Sequence, residues 1–266
     1  MKKQLFILCT LLLLGACSEE VDKDINTDLT QESSQFFKLS EAIGESAYLG
    51  NLSYSDYLRI TSAELPGCPT IVPIPDTRII ELVYPATAEC EQPNQSIRNG
   101  KIILDFTLSE TDTPTWTLAY EVYFFEKNRL DGIRHFSAIS ASANEEVFEN
   151  LKVVLENQLT FVASGAQSYS WVRSGNYPSS LTTRGKIDGR NPAGRDFSMV
   201  TTTAKVQQFD CYRLGWELPQ TGTESWIVSR SISSSISYSV SFQSGTTCDP
   251  IVISTLPDGR NLQLNP

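Results

Sequence analysis

From Ser235 to Phe242 serine and a bulky apolar residue alternate without a break, with Ser235, Ser237, Ser239 and Ser241 set against Ile236, Tyr238, Val240 and Phe242. A period of two belongs to a strand with one buried and one wet face, and it is incompatible with the 3.6-residue period of a helix. The pattern recurs upstream. Trp116, Leu118, Tyr120, Val122 and Phe124 alternate with smaller or polar neighbours, as do Leu151, Val153 and Leu155, and Leu159 and Phe161 follow Asn157. Asp131-Gly132 reads as a hairpin turn. Short strands separated by turn signals predict a mainly β chain from Cys68 onward, an antiparallel β-sandwich or barrel-like domain.

Before the strands, one stretch has a different period. Phe36, Phe37, Leu39, Ala42 and Ile43 form a single stripe, which predicts a short N-terminal helix from Thr30 to about Ala47 with Gly44 near its end. A second short helical turn is expected at Tyr54–Leu58. The helix is expected to pack on the sheet as a plug or cap, making residues 31–266 a β-rich domain with a helical N-terminal segment.

The chain opens as an export signal. Lys2 and Lys3 precede the apolar run Leu5–Leu14, and Gly15 and Ala16 supply the small residues of a cleavage site. The run is about half the roughly 20 residues needed to span a bilayer. Leu14-Gly15-Ala16-Cys17 resembles the bacterial lipobox, which implies cleavage after residue 16 and acyl chains on Cys17. Residues 17–30 then read as a flexible acidic tether. Its Ser18-Glu19-Glu20-Val21-Asp22-Lys23-Asp24 tract resembles the surface-export signal of Bacteroidetes-type lipoproteins. The expected location is the outer membrane, lipid-anchored and facing the exterior. Asp22, Asp24, Asn26 and Asp28 imitate a calcium loop, but Thr27 replaces its glycine and Ser33 its bidentate glutamate, so calcium is rejected.

Loss of residues 1–16 removes two lysines and no acid, taking the net charge from −10 to −12. No basic excess exists to meet a nucleic acid. Without Cys17, the mature chain retains Cys68, Cys90, Cys211 and Cys248, an even number that in an exported protein predicts two disulfides. No close C-x-x-C pair points to zinc. A faint repeat relates residues 68–110 to 211–266. Each block holds a cysteine, a strand, a second cysteine, and a strand entered through Asn99-Gly100 or Asp258-Gly259. The repeat favours bridges within blocks, Cys68–Cys90 and Cys211–Cys248, and leaves crossed pairings open.

Leu65-Pro66-Gly67-Cys68-Pro69-Thr70, Gly100-Lys101-Ile102, Gly189-Arg190-Asn191-Pro192-Ala193-Gly194-Arg195 and the closing Cys248-Asp249 with Asp258-Gly259 carry a wider resemblance. Over most of residues 65–266 the chain resembles a family of uncharacterised Bacteroidetes surface lipoproteins. The stretch Tyr84–Glu89 departs from the acidic-plus-glycine strand end usual there. The resemblance implies location and β architecture, and no activity.

Chemistry-bearing motifs are sparse. His135 is the single histidine, and it lacks the G-x-S-x-G elbow of a serine hydrolase. Gly185-Lys186-Ile187-Asp188-Gly189 lacks the spacing of a phosphate loop. Arg184, Lys186, Arg190 and Arg195 cluster in a Gly/Asn/Pro-rich segment and form a candidate anion-binding loop, to be weighed against simple pairing with neighbouring acids. Trp171, Trp216 and Trp226 are candidate sugar-stacking residues, or else core. The expectation is a non-catalytic binding or scaffolding β domain on a lipid anchor, whose partner is an extracellular glycan or an envelope protein, with no metal, cofactor or catalytic residue. The alternatives are a glycan-active enzyme of the envelope and a structural subunit of an envelope assembly. Growth with labelled palmitate tests the anchor: the wild-type protein is expected to take up label and a Cys17→Ala variant none.

Overall fold

A computed structural model describes residues 27–85, 90, 92–94, 96–112, 114–174, 177–245 and 247–265. The expected leader, Cys17 and the acidic tract lie outside the described residues.

Helix α1 (Leu29–Gly44) begins where Asp28 accepts hydrogen bonds from the Thr30 and Gln31 backbone N–H groups at 2.9 and 3.2 Å. These bonds, the Thr30 hydroxyl first among them, hold the Asp28 carboxyl below its ordinary pKa. The expected stripe is buried, and two one-turn helices follow, α2 (Ala47–Gly50) and α3 (Tyr54–Tyr57). The strands are β1 (Thr70–Ile74), β2 (Ile79–Tyr84), β3 (Arg98–Asp105), β4 (Thr115–Phe125), β5 (Asn128–Asp131), β6 (Ile133–Ser140) and β7 (Ala143–Val154). After them come β8 (Thr160–Ser174), β9 (Tyr177–Arg190), β10 (Asp196–Gln208), the one-turn α4 (Phe209–Tyr212), β11 (Thr221–Ser231), β12 (Ser234–Gln243), β13 (Ile251–Thr255) and β14 (Asn261–Gln263).

All fourteen strands form one antiparallel sheet in nearly sequential order, with β1 and β14 at its edges. Strands β5 and β6 act as one interrupted strand: both lie between β4 and β7. The interruption is Gly132 (φ 138°), where a Cβ would stand 2.9 Å from Leu151 Cδ1. Asp131-Gly132 is therefore a kink within the sheet. The hairpin turn lies earlier, at Glu126-Lys127, between the paired Phe125 and Asn128. Asn99-Gly100 likewise sits inside β3, where Gly100 faces a bulge at Val122. That bulge reverses the alternation of β4. Trp116, Leu118 and Tyr120 point inward as expected, whereas Val122 turns out and Tyr123 and Phe125 take the inner positions. The serine-rich strand β12 follows its pattern, with Tyr238, Val240 and Phe242 buried.

The sheet curls around α1. Phe36 stacks on Trp226 (β11) at 4.8 Å and lies within 6 Å of Phe161 (β8), Phe197 (β10) and Tyr238 (β12). The polar side of the helix is buried too. Ser33 bonds Ser254 (β13), Ser40 bonds Glu224 (β11), and Glu32 meets Arg230 (β11) and Tyr238. Glu45, just past the helix, accepts from Arg98 (β3) and Tyr123 (β4). The helix is a plug enclosed on several sides, so charges accompany it into the core. Both disulfides join cysteines within blocks, Cys68–Cys90 and Cys211–Cys248, across 22 and 37 residues. Each lies toward one end of the sheet and contributes about 3 kcal/mol in the chain-entropy model.

The most enclosed ion pair is Arg134 (β6) with Glu146 (β7). Its two contacts are 2.5 and 2.9 Å, and neither side chain is exposed. Arg134 also donates to the Ile43 carbonyl and the Ser46 hydroxyl at the end of α1. Burial works against the guanidinium charge, but Glu146 and the surrounding tyrosines hold its pKa well above the ordinary value. Arg134→Met, which strands Glu146, is expected to cost about 3–5 kcal/mol in a denaturant melt at neutral pH. Adding Glu146→Leu should recover most of that loss.

Candidate functional site

At the far end of α1 from Asp28, five segments meet around a cleft of about 380 Å³, within the size range of small-molecule sites. The segments are the α2–α3 connection, the β1–β2 turn with Arg78, the β3–β4 connection, the β6–β7 turn and the end of β8. Their placement follows from the plug. The Trp116 indole N–H donates to the Gly50 carbonyl at 2.7 Å, and Asn144 (β7) donates to Asn51 at 3.0 Å. Gly50 is required for this approach, since a Cβ there would stand 2.3 Å from Phe136 Cζ. Ser53 and Asp56 cap α3 reciprocally, and Asp56 in turn holds Arg173 (β8) at 2.7 Å.

Aromatic and cationic groups alternate around this cleft. Buried Phe106 and Trp116 lie at its base, with Tyr54 edge-on to Phe106. The Arg78 guanidinium rests 4.5 Å above the Tyr54 ring, donates to Ser109, and contacts Glu110 at 2.9 Å. Trp171 stands on the opposite side, its backbone tied to Ser142 in the β6–β7 turn. The Trp171 indole N–H and Arg78 Nε are both buried without an acceptor among the described residues. Unsatisfied buried donors are uncommon, and two border this one cleft.

Of the residues the sequence offered as binding candidates, Trp171 alone reaches the cleft. Trp226 is fully buried in the core against Phe36, and Trp216 is half-buried beyond α4. The basic cluster is not a loop. Arg184, Lys186 and Arg190 project from the outer face of β9, where Lys186 pairs with Asp188 and Arg190 with Asp196. Arg195 lies in the β9–β10 turn and donates to Thr27 at 2.7 Å, beside the start of α1. Regular strand spacing and local acids disperse these charges. His135 is exposed on the outer face of β6. Among the described residues no group of His, Cys, Asp and Glu could hold a metal, and no helix is long and apolar enough to cross a membrane. Tyr54, Arg78, Asn144 and Arg173 were not evident from sequence, where they are scattered across some 120 positions and belong to no motif.

The carboxyls with raised pKa values lie elsewhere, inside the sheet. Glu45 is raised by burial against the opposing pull of Arg98. Glu41 is pushed up to about 7 by burial first and by Glu217 next. It lines a cavity of about 30 Å³ with Lys205, Gln207 and Glu217, room for a water and not for a sugar ring. With an unfolded value of 4.5, Glu41 binds its proton more tightly in the native state, so its effect on stability worsens as pH rises from 4.5 to about 7. Glu41→Gln is expected to leave stability unchanged near pH 4 and to raise it by up to roughly 3 kcal/mol at pH 8, measured by denaturant melts against wild type.

Compared with family models, with curated proteins and with solved structures, the chain matches none.

Proposed function

We propose that this chain is a lipid-anchored lipoprotein of the outer cell surface, of the Bacteroidetes type, whose β domain binds an extracellular glycan without transforming it. The cleft carries the reading. It combines aromatic faces, suited to the C–H faces of sugars, with convergent hydroxyl, amide and guanidinium groups that would fix orientation. The carboxyls with raised pKa values sit in the closed interior, away from it, so the paired acid and base of a glycosidase find no support at this cleft.

Position supports the same reading. The chain enters the described fold at Thr27, beside Arg195 and the first turn of α1. Sixteen helical residues span about 24 Å, and the cleft opens beyond the other end. An anchor at Cys17 would thus join the domain at the end opposite the cleft. Sheet-edge assembly has less in its favour, since β14 is three residues long and β1 carries Pro73.

The test is a glycan array probed with the detergent-solubilised full chain and its Trp171→Ala variant. Wild type is expected to bind a defined glycan set and the variant to lose it by at least about tenfold, the scale of a lost stacking contact. Binding that survives the substitution removes the cleft from the proposal, and an array without any binding removes glycan recognition.

A further inference from the structure

Arg78 holds a displaceable carboxylate. It lies in the left-handed region (φ 54°) at the end of the short turn Pro75–Thr77, which projects it across the β3–β4 connection. Its guanidinium is fixed from two sides, by the Tyr54 ring beneath and the Ser109 hydroxyl at 3.3 Å. Glu110 meets it through a single contact, from Nη1 to Oε1 at 2.9 Å. The partners differ in exposure: the side chain of Arg78 is 30% exposed and that of Glu110 73%. Exposed ion pairs of this kind are weak and screened by salt, whereas a guanidinium prefers two parallel bonds to one carboxylate. Arg78 Nε is buried, so the nitrogens that can meet a ligand are Nη1, now on Glu110, and Nη2, now on the Ser109 hydroxyl.

The other cation of the cleft differs. Arg173 contacts Asp56, whose side chain is 2% exposed and is itself held by Ser53. That carboxylate belongs to the α3 cap and does not leave without unwinding it. Glu110 is therefore the acid that an incoming carboxylate can replace. Trp171 and the largely buried Trp116 line the same cleft as the two arginines, together with Ser53, Ser55 and Ser140. An aromatic base with hydroxyl partners suits a pyranose ring more than a peptide, whose backbone would need an accessible strand edge.

We propose that the cleft binds an acidic sugar, a hexuronate residue, with its carboxylate on Arg78 in place of Glu110 and its ring against Trp171. The proposal rests on the glycan-binding reading and names its ligand class.

The experiment is titration of the detergent-solubilised full chain with D-glucuronate, D-glucose and acetate, followed by tryptophan fluorescence and calorimetry. Glucuronate is expected to bind at least about tenfold more tightly than glucose or acetate, as a good charge-assisted contact requires. Glu110→Gln should tighten glucuronate binding several-fold, because it removes the competitor. It lies on the surface and leaves folding intact. Arg78→Leu should abolish the preference for glucuronate over glucose, with an unchanged melting curve showing that the fold persists. Equal binding of glucose and glucuronate overturns the acidic-sugar assignment and leaves the glycan site standing. Acetate binding as well as glucuronate overturns the sugar component. An unaltered glucuronate affinity in Glu110→Gln overturns the displacement. Failure of all three ligands, together with a blank array, overturns both readings.

Discussion

A curled antiparallel sheet whose two edge strands do not pair leaves a long inner face that something must cover, and here that cover is a single helix. Because strands from β3 to β13 contact α1 or its C-terminal extension, the helix has little face left for water, and its serines and glutamates are buried with its phenylalanines. Each such group costs several kcal/mol if left without a partner. The sheet supplies one in almost every case: Arg230 and Tyr238 for Glu32, Ser254 for Ser33, Glu224 with Lys205 for Ser40, Arg98 for Glu45, Arg134 for Ser46. Apolar packing alone would tolerate a helix rotated by a residue or a strand shifted by two. These polar matches do not, so they fix the one arrangement in which the aromatic cage closes on Phe36.

The cleft inherits its geometry from that arrangement. Its five segments come from distant parts of the chain and are joined by backbone bonds such as Trp171 to Ser142 and Ala138 to Pro114. Three of them are also tied to the end of the plug, through Gly50 with Trp116, Asn51 with Asn144, and Asp56 with Arg173. A site built this way is rigid because the core is rigid. Glu110 is the exception, held at the rim by one exposed contact to Arg78, which itself rests on the Tyr54 ring and the Ser109 hydroxyl.

Much of the fold was legible in the sequence because burial writes its period into side-chain size. Strand β12, the stripe of α1, the turn at Tyr54–Tyr57 and the two disulfides are all where the pattern places them. The failures have one cause. Local turn chemistry was read as chain reversal at Asp131-Gly132 and Asn99-Gly100, where glycine instead serves a kink and a bulge inside continuous pairing. Val122 reads as inward by alternation, but the bulge turns it outward. Glu146 and Arg134 occupy inner positions that no pattern in the sequence marks, since a charge looks the same in sequence whether water or another charge awaits it. The cleft was visible only through Trp171, because proximity among residues 54, 78, 144 and 171 exists in no stretch of the chain shorter than the domain.

The bond between Ser33 and Ser254 spans 221 residues. Its two ends leave the ribosome at nearly opposite times, since the helix precedes every strand and β13 is almost the last. Through most of synthesis, then, α1 is an amphipathic segment without its enclosure. Contacts this distant pay their loop-closure entropy late, and folds that depend on them form slowly. The maturation of this protein is accordingly governed by its C-terminus: the plug that organises the sheet cannot be sealed until the final strands have arrived.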